Sequence, residues 1–226
     1  MARYSSPPWH LLLLFVVVAC YHRSSSSVAD PTAGFVAVEL TEDQFHLHKP
    51  YDLAPEQRYE FRDGVRRMWV FCTDHPFSPG SPTKPRSEIL LNQKTYTSGV
   101  WQFEAHAYVA AGTTGASIMQ VFGAPRASGR NTTLMLHVYG GRLMFYHDEA
   151  RVVDADVWDR WFRLNVVHDV GADELNVFVD GEERLAVFGR GRYRHYFKFG
   201  VYAQTDPSLY MESRWRDVKV YTKIVD

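Results

Sequence analysis

Three short stretches of this sequence set chemically able side chains at two-residue spacing. "RSEILL", residues 86–91, places Arg86 and Glu88 on one side of a strand and Ile89 and Leu91 on the other. "MQVFG", residues 119–123, offers Gln120 and Phe122 in the same way. "YFKFGVYAQ", residues 196–204, carries Tyr196, Lys198, Tyr202 and Gln204 along one face and Phe197, Phe199, Val201 and Ala203 along the other. A guanidinium and an amide can bracket a carboxylate, an ammonium can neutralise charge, and a phenol can move a proton. The polar faces therefore suit an anion that is held, or a proton that is moved beside one; the apolar faces suit a core.

The elements that position these groups read as short antiparallel strands. "WQFEAHAYV" at 101–109 alternates Trp101, Phe103, Ala105 and Ala107 against Gln102, Glu104, His106 and Tyr108. "LMLHVY" at 134–139, "RLMFYH" at 142–147, "WFRLNVVHDV" at 161–170 and "ELNVFVDGEERLAVF" at 174–188 continue the pattern. Gly140-Gly141 and Asp180-Gly181 stand where two-residue hairpin turns would join them. No stretch shows a helical stripe over twelve residues, apart from a short turn expected in "LAPEQRYEF" at 53–61. The fold class is all-β: an antiparallel β-sandwich or jelly roll, a form that often uses one curved sheet as a concave groove.

The chain opens with Arg3, an apolar block from Leu11 to Cys20 and a Ser-rich stretch to Ala29, the outline of a secretory signal peptide over 1–29 cleaved before Asp30. The block is too short to span a bilayer, so no membrane partner is expected after cleavage. Residues 30–226 then form a single β domain with 23 basic and 26 acidic residues, a net charge of −3, which disfavours nucleic acid as a partner. With Cys20 in the leader, Cys72 is unpaired, and its "WVFC" setting predicts a buried, inert thiol. Asn131-Thr132-Thr133 is an N-glycosylation acceptor, in keeping with a secretory route to the cell wall, the extracellular space or the vacuole. "GRGRYRHYFK" at 189–198 concentrates Arg190, Arg192, Arg194, His195 and Lys198 on this acidic chain, which points to a specific anionic ligand.

The three motifs in this order, with "EQRYEF", "GVWQFE", "DRWFRLNVVH" and "YMESRW", resemble the alginate lyase superfamily of jelly-roll polysaccharide lyases, and within it a plant citrate-binding branch. The resemblance runs from about Phe35 to Lys223. It implies that Arg86 and Gln120 hold a carboxylate, that Tyr202 serves as base and acid if the protein is a lyase, and that Lys198 and Gln204 line the groove. Glu88 would orient Arg86, and from the basic loop Arg194, or Arg192 in its place, would reach in. The lyases have histidine two residues after the glutamine, where this chain has Phe122; His106 is a conceivable substitute.

Three readings follow. In the first, the groove binds a small polycarboxylate such as citrate, or an acidic oligosaccharide. In the second, the protein is a lyase that cleaves a uronate polysaccharide by β-elimination, and in the third a wall protein whose groove has no ligand. No cofactor or metal is implied. His46-x-His48 could aim two imidazoles one way, but it lacks a carboxylate or third histidine at telling distance and reads as an exposed strand. No Gly-x-Ser-x-Gly supports serine hydrolysis.

Overall fold

The structure, a computed structural model, describes Met1 and residues 30–223; the expected leader, with Arg3 and Cys20, lies outside the described residues. Fifteen strands follow one another: β1 (Val36–Val38), β2 (His46–His48), β3 (Tyr59–Arg62), β4 (Val65–Phe71), β5 (Arg86–Leu90), β6 (Val100–Val109), β7 (Ala116–Phe122) and β8 (Thr132–Tyr139). The rest are β9 (Arg142–Phe145), β10 (Val152–Asp154), β11 (Trp161–Asp169), β12 (Glu174–Val179), β13 (Glu182–Phe188), β14 (Tyr196–Ala203) and β15 (Tyr210–Lys223). They form two antiparallel sheets packed face to face, a jelly roll. One runs β13-β12-β11-β6-β15-β4-β3 with β1 also on β15, and the other runs β10-β9-β8-β7-β14-β5-β2.

Local sequence explains the joins. Gly140-Gly141 turns β8 into β9 and Asp180-Gly181 turns β12 into β13, with φ positive at both central residues of each turn, the geometry a twisted two-residue hairpin requires. Asp63-Gly64 does the same between β3 and β4. The turn expected at 53–61 shrinks to a single 3₁₀ turn, Pro55–Gln57, after which the chain enters β3. Competition from pairing with β4 explains the difference: Tyr59 to Arg62 gain ladder bonds that an isolated helical turn lacks.

The core lies between the sheets and takes the apolar face of each strand. Phe103, Ala105 and Ala107 of β6 meet Phe197, Phe199 and Val201 of β14, all fully or almost fully buried. Phe199 sits 5.5 Å from Phe103 and 5.2 Å from Trp215, ring to ring. Cys72, expected to be buried, is instead only half-buried, because it stands just past the end of β4 where the ladder stops. One polar chain crosses this core. The Trp215 indole donates to Ser213 Oγ at 2.9 Å, and Ser213 Oγ donates to the Gly200 carbonyl at 2.7 Å, joining β15 of one sheet to β14 of the other.

Gly200 is where β14 slips against β7: Phe199 pairs with Met119 and Tyr202 with Ser117, so β14 has one residue more than β7 over this interval. β7 in turn has one more than β8 between Ser117 and Met119. Extra residues in adjacent strands bend and twist a sheet, and they fall directly beneath the polar faces of β5, β7 and β14. Gly200 has φ of 140°, and a Cβ there would meet the Ser87 carbonyl at 2.5 Å and Met68 Sδ at 2.8 Å. No other residue type fits without moving the backbone.

A buried pair of histidines sits in the same core. His168 Nδ1 is hydrogen-bonded to the Tyr96 hydroxyl at 3.0 Å, and the His168 and His195 rings lie 4.6 Å apart. Burial, and then the proximity of His195, push the His168 pKa down from 6.5 to about 3. Because the unfolded chain binds this proton more readily than the folded one, stability is full above about pH 6.5 and falls as pH drops toward 3. Urea unfolding followed by tryptophan fluorescence should therefore lose on the order of 3 kcal/mol between pH 7 and pH 4 from this group. His168→Gln should flatten the pH dependence even if it lowers stability at pH 7.

Candidate functional site

The polar faces of β5, β14 and β7 meet on the outer side of the seven-stranded sheet. Arg86 is paired directly with Tyr202, Gly200 with Glu88, and Lys198 with both Leu90 and Gln120. β2 adds His48 beside Glu88. Together they floor a groove of about 380 Å³, lined by His48, Arg86, Gln120, Lys198, Tyr202 and Gln204 among others. The sequence motifs thus converge on one site although they lie as much as 118 residues apart, from Arg86 to Gln204.

Glu88 is the hub of the floor. Its carboxylate pairs with Lys198 Nζ, accepts a hydrogen bond from Gln120 Nε2, and lies 3.5 Å from Arg86 Nη1. Only 1% of Glu88 and 2% of Lys198 is exposed, which removes nearly all help from water. The resemblance implied that Glu88 orients Arg86, but Arg86 is the most distant of its three partners. Register explains this: Gly200, opposite Glu88, has no side chain, so Lys198 can extend over it to the carboxylate.

Besides this contact with Glu88, Arg86 is positioned by aromatic faces. Its guanidinium carbon stands 3.7 Å from the Tyr202 ring centroid and 5.0 Å from that of Phe77. Its Nε is buried with no hydrogen-bond partner among the described residues, as is His48 Nδ1. Buried polar atoms of this kind call for a partner. The groove carries Arg86, Lys198 and, at its rim, Arg130, against the single carboxylate of Glu88. The balance is cationic and matches an anion.

Protonation follows burial. The Lys198 pKa is lowered, first by desolvation, while Glu88 opposes the shift. Tyr196 is pushed up to about 12 by burial and then by Glu88, so it remains a phenol and a donor. His48 falls to about 4, through burial and then Lys198, and is a neutral imidazole at ordinary pH.

Phe122 occupies the position two residues after Gln120, with its ring 5.0 Å from Tyr196 and 5.5 Å from Lys198 Nζ. It forms an apolar wall where the lyase pattern has an imidazole. His106 does not replace it: it stands on β6 of the other sheet and faces Asp217 at 3.1 Å. Arg194 is exposed and is not among the groove residues, because the loop before β14 turns its side chain outward. Gln204 lines the groove, yet its amide nitrogen is bound to the carbonyls of Tyr202 and Ala203.

The residue that sequence reasoning missed is His48. It reads as an exposed strand residue, but it is half-buried, stacked at 4.6 Å and 4° on Phe77, and faces the groove. The available signal was the His-x-His spacing itself; nothing local reveals that β2 pairs with β5. His46 diverges from it, held by the Asp43 carbonyl and Gln93. Asn131, the sequon residue, stands exposed at the groove rim.

Comparison with known proteins agrees with the jelly-roll fold. The family model described as alginate lyase matches residues 38–222. A citrate-binding protein of Hevea brasiliensis is 47% identical over 212 residues, covering 93% of this chain and 86% of that protein. Among solved structures, the alginate lyase AlgAT5 of polysaccharide lyase family 7 superposes with a TM-score of 0.61 at 16% identity, over 78% of this chain and 93% of its own. The family 7 alginate lyase AlyA1 from Zobellia galactanivorans gives 0.58 at 14%, over 74% and 81%. At these identities the structural likeness is one of fold.

The Glu88 hub can be tested by stability alone. Glu88→Ala leaves Lys198 buried without a counter-ion and should cost about 3–5 kcal/mol in urea denaturation. The double variant Glu88→Leu/Lys198→Met should regain most of that loss. A double variant no more stable than Glu88→Ala would show that the pairing is not what the floor depends on.

Proposed function

The chain belongs to the alginate lyase family, and on that footing we propose that it is a binding protein for carboxylate-bearing ligands, citrate or uronate saccharides, held in a lyase-like groove. The observation that carries this reading is the floor itself. A cationic pocket with a buried arginine Nε that lacks a partner among the described residues supplies charge and donors for one more carboxylate. The name of the Hevea relative supports it. In such a site the ligand carboxylate would lie against Arg86 and Lys198, with Gln120 held in place by Glu88. Charge-assisted bonds worth about 1.5–3 kcal/mol each suffice for micromolar affinity.

Phe122 weighs against cutting. β-Elimination removes the proton on the carbon next to the carboxylate while the oxygen on the following carbon departs, and the enolate charge must be stabilised as it forms. With the Phe122 ring tilted against Tyr196, that side of the groove offers an apolar ring and a phenol of raised pKa. One observation favours the second reading, an active uronate lyase: Tyr202 lies against Arg86, and His48 adds a neutral imidazole to the same groove. Tyr202 would then act as base and acid in a same-face elimination.

The secretory reading belongs to this proposal too. It is supported by the leader pattern and by a sequon whose asparagine is exposed.

Calorimetric titration with citrate and with glucuronate oligomers, run beside an absorbance assay for the unsaturated uronate, separates the two readings. Binding without new absorbance is expected, and Arg86→Gln should weaken it by about 10- to 100-fold. Absorbance that grows with time and disappears in Tyr202→Phe would establish the lyase. Affinity unchanged in Arg86→Gln would overturn the assignment of the site.

A further inference from the structure

The groove has two chemically different ends, and register sets their order. Arg86 faces Tyr202 at one end, and Glu88 stands opposite Gly200 in the next row. The row after that runs Leu90, Lys198, Gln120 and Met135 across β5, β14, β7 and β8, and beyond it Tyr196 faces Phe122. Charge is gathered toward Arg86, whereas from Lys198 onward the lining is Leu90, Met135, Phe122 and Tyr196. Leu90 and Met135 are buried, and the half-buried rings of Phe122 and Tyr196 stand 5.0 Å apart above them. Lys198 Nζ lies 5.5 Å from the centre of the Phe122 ring, so a carboxylate held on the ammonium brings its own carbon skeleton against that ring.

The polar groups at this end are already engaged. Lys198 and Gln120 are tied to Glu88, and the Thr132 hydroxyl is bonded to that of Tyr146 at 2.9 Å. The Tyr196 hydroxyl remains, as a phenol. A sugar ring seated here would turn its hydroxyls toward hydrocarbon, each giving up water without a replacement. A planar apolar ring gains instead, through burial of its faces and through offset contact with Phe122 and Tyr196. The groove volume of about 380 Å³ suits one small molecule.

We propose that the ligand is an aryl carboxylate, with its carboxylate between Arg86 and Lys198 and its ring against Phe122 and Tyr196, over Leu90 and Met135. The position of the carboxylate rests on the reading proposed above. The position of the ring rests on four uncharged residues, none of which holds the anion. Phe122, where the lyase pattern has an imidazole, then selects the class of ligand.

Calorimetric titration with benzoate, cinnamate and monomeric glucuronate tests this. Benzoate and glucuronate each carry one carboxylate on a six-membered ring and differ chiefly in the hydroxyls of that ring, so the ratio of their affinities isolates the ring contact. Benzoate and cinnamate should each bind about 10-fold or more tightly than glucuronate, and in Phe122→Asn that ratio should fall toward one. Phe122 is half-buried at the end of β7, so the variant should fold, which circular dichroism checks. Tyr196→Gln, on the neighbouring strand, should lower the same ratio. Glucuronate that binds as tightly as benzoate and cinnamate, with all three weakened in Arg86→Gln, overturns the aryl assignment and leaves the carboxylate site standing. A ratio that survives both Phe122→Asn and Tyr196→Gln overturns it equally. Aryl carboxylates that lose affinity in Phe122→Asn but not in Arg86→Gln retain the ring contact and overturn the carboxylate site. Wild-type protein that binds none of the three refutes both.

Discussion

A carboxylate buried beneath a groove holds this site together. Glu88 draws Lys198, Gln120 and Arg86 toward one point from three neighbouring strands, at a depth where water gives almost no help. Buried ion pairs seldom add stability relative to an apolar replacement, because desolvation consumes the Coulombic gain. What such a hub does supply is position: the ammonium and the amide have one low-energy arrangement each, and the ligand-facing surface is preorganised. Its charge also decides what the groove accepts. One internal acid neutralises only part of the cationic lining, so an anion completes the balance.

The sheet beneath obeys the same demand. To aim Arg86, Lys198 and Tyr202 into one hollow, β14 and β7 each take an extra residue, and the resulting bend is secured from behind by Ser213 and Trp215. Slippage in the ladder frees the Gly200 carbonyl, and a side chain from the opposite sheet satisfies it. The groove and the core are therefore one construction, and neither could be altered while the other stayed as it is.

Most of the architecture was legible in the chain because period-two alternation and Gly or Asp-Gly turns act locally. The polar faces at 86–88, 120–122 and 196–204 were legible for the same reason, and the family pattern gave their order. Relations that depend on distant pairing were not. His48 could be placed only by knowing that β2 lies beside β5, forty residues away. The centrality of Glu88 required the register that sets Gly200 opposite it. Arg194 was expected to reach in from the basic loop, but the direction in which that loop presents each residue is set by tertiary contacts rather than by composition. The leader and the glycan acceptor rest on pattern alone.

Ser213 and Trp215 have a wider consequence. They lie on the sheet that carries no ligand-facing residue, yet they fix the backbone from which Lys198 and Tyr202 project. In a chimera that joined this groove-bearing sheet to the back sheet of a relative, a pocket with every lining residue intact could still be misshapen. The heritable unit of recognition here is thus larger than the pocket: it includes a hydroxyl and an indole in the core behind it, which a search limited to residues near the ligand would pass over.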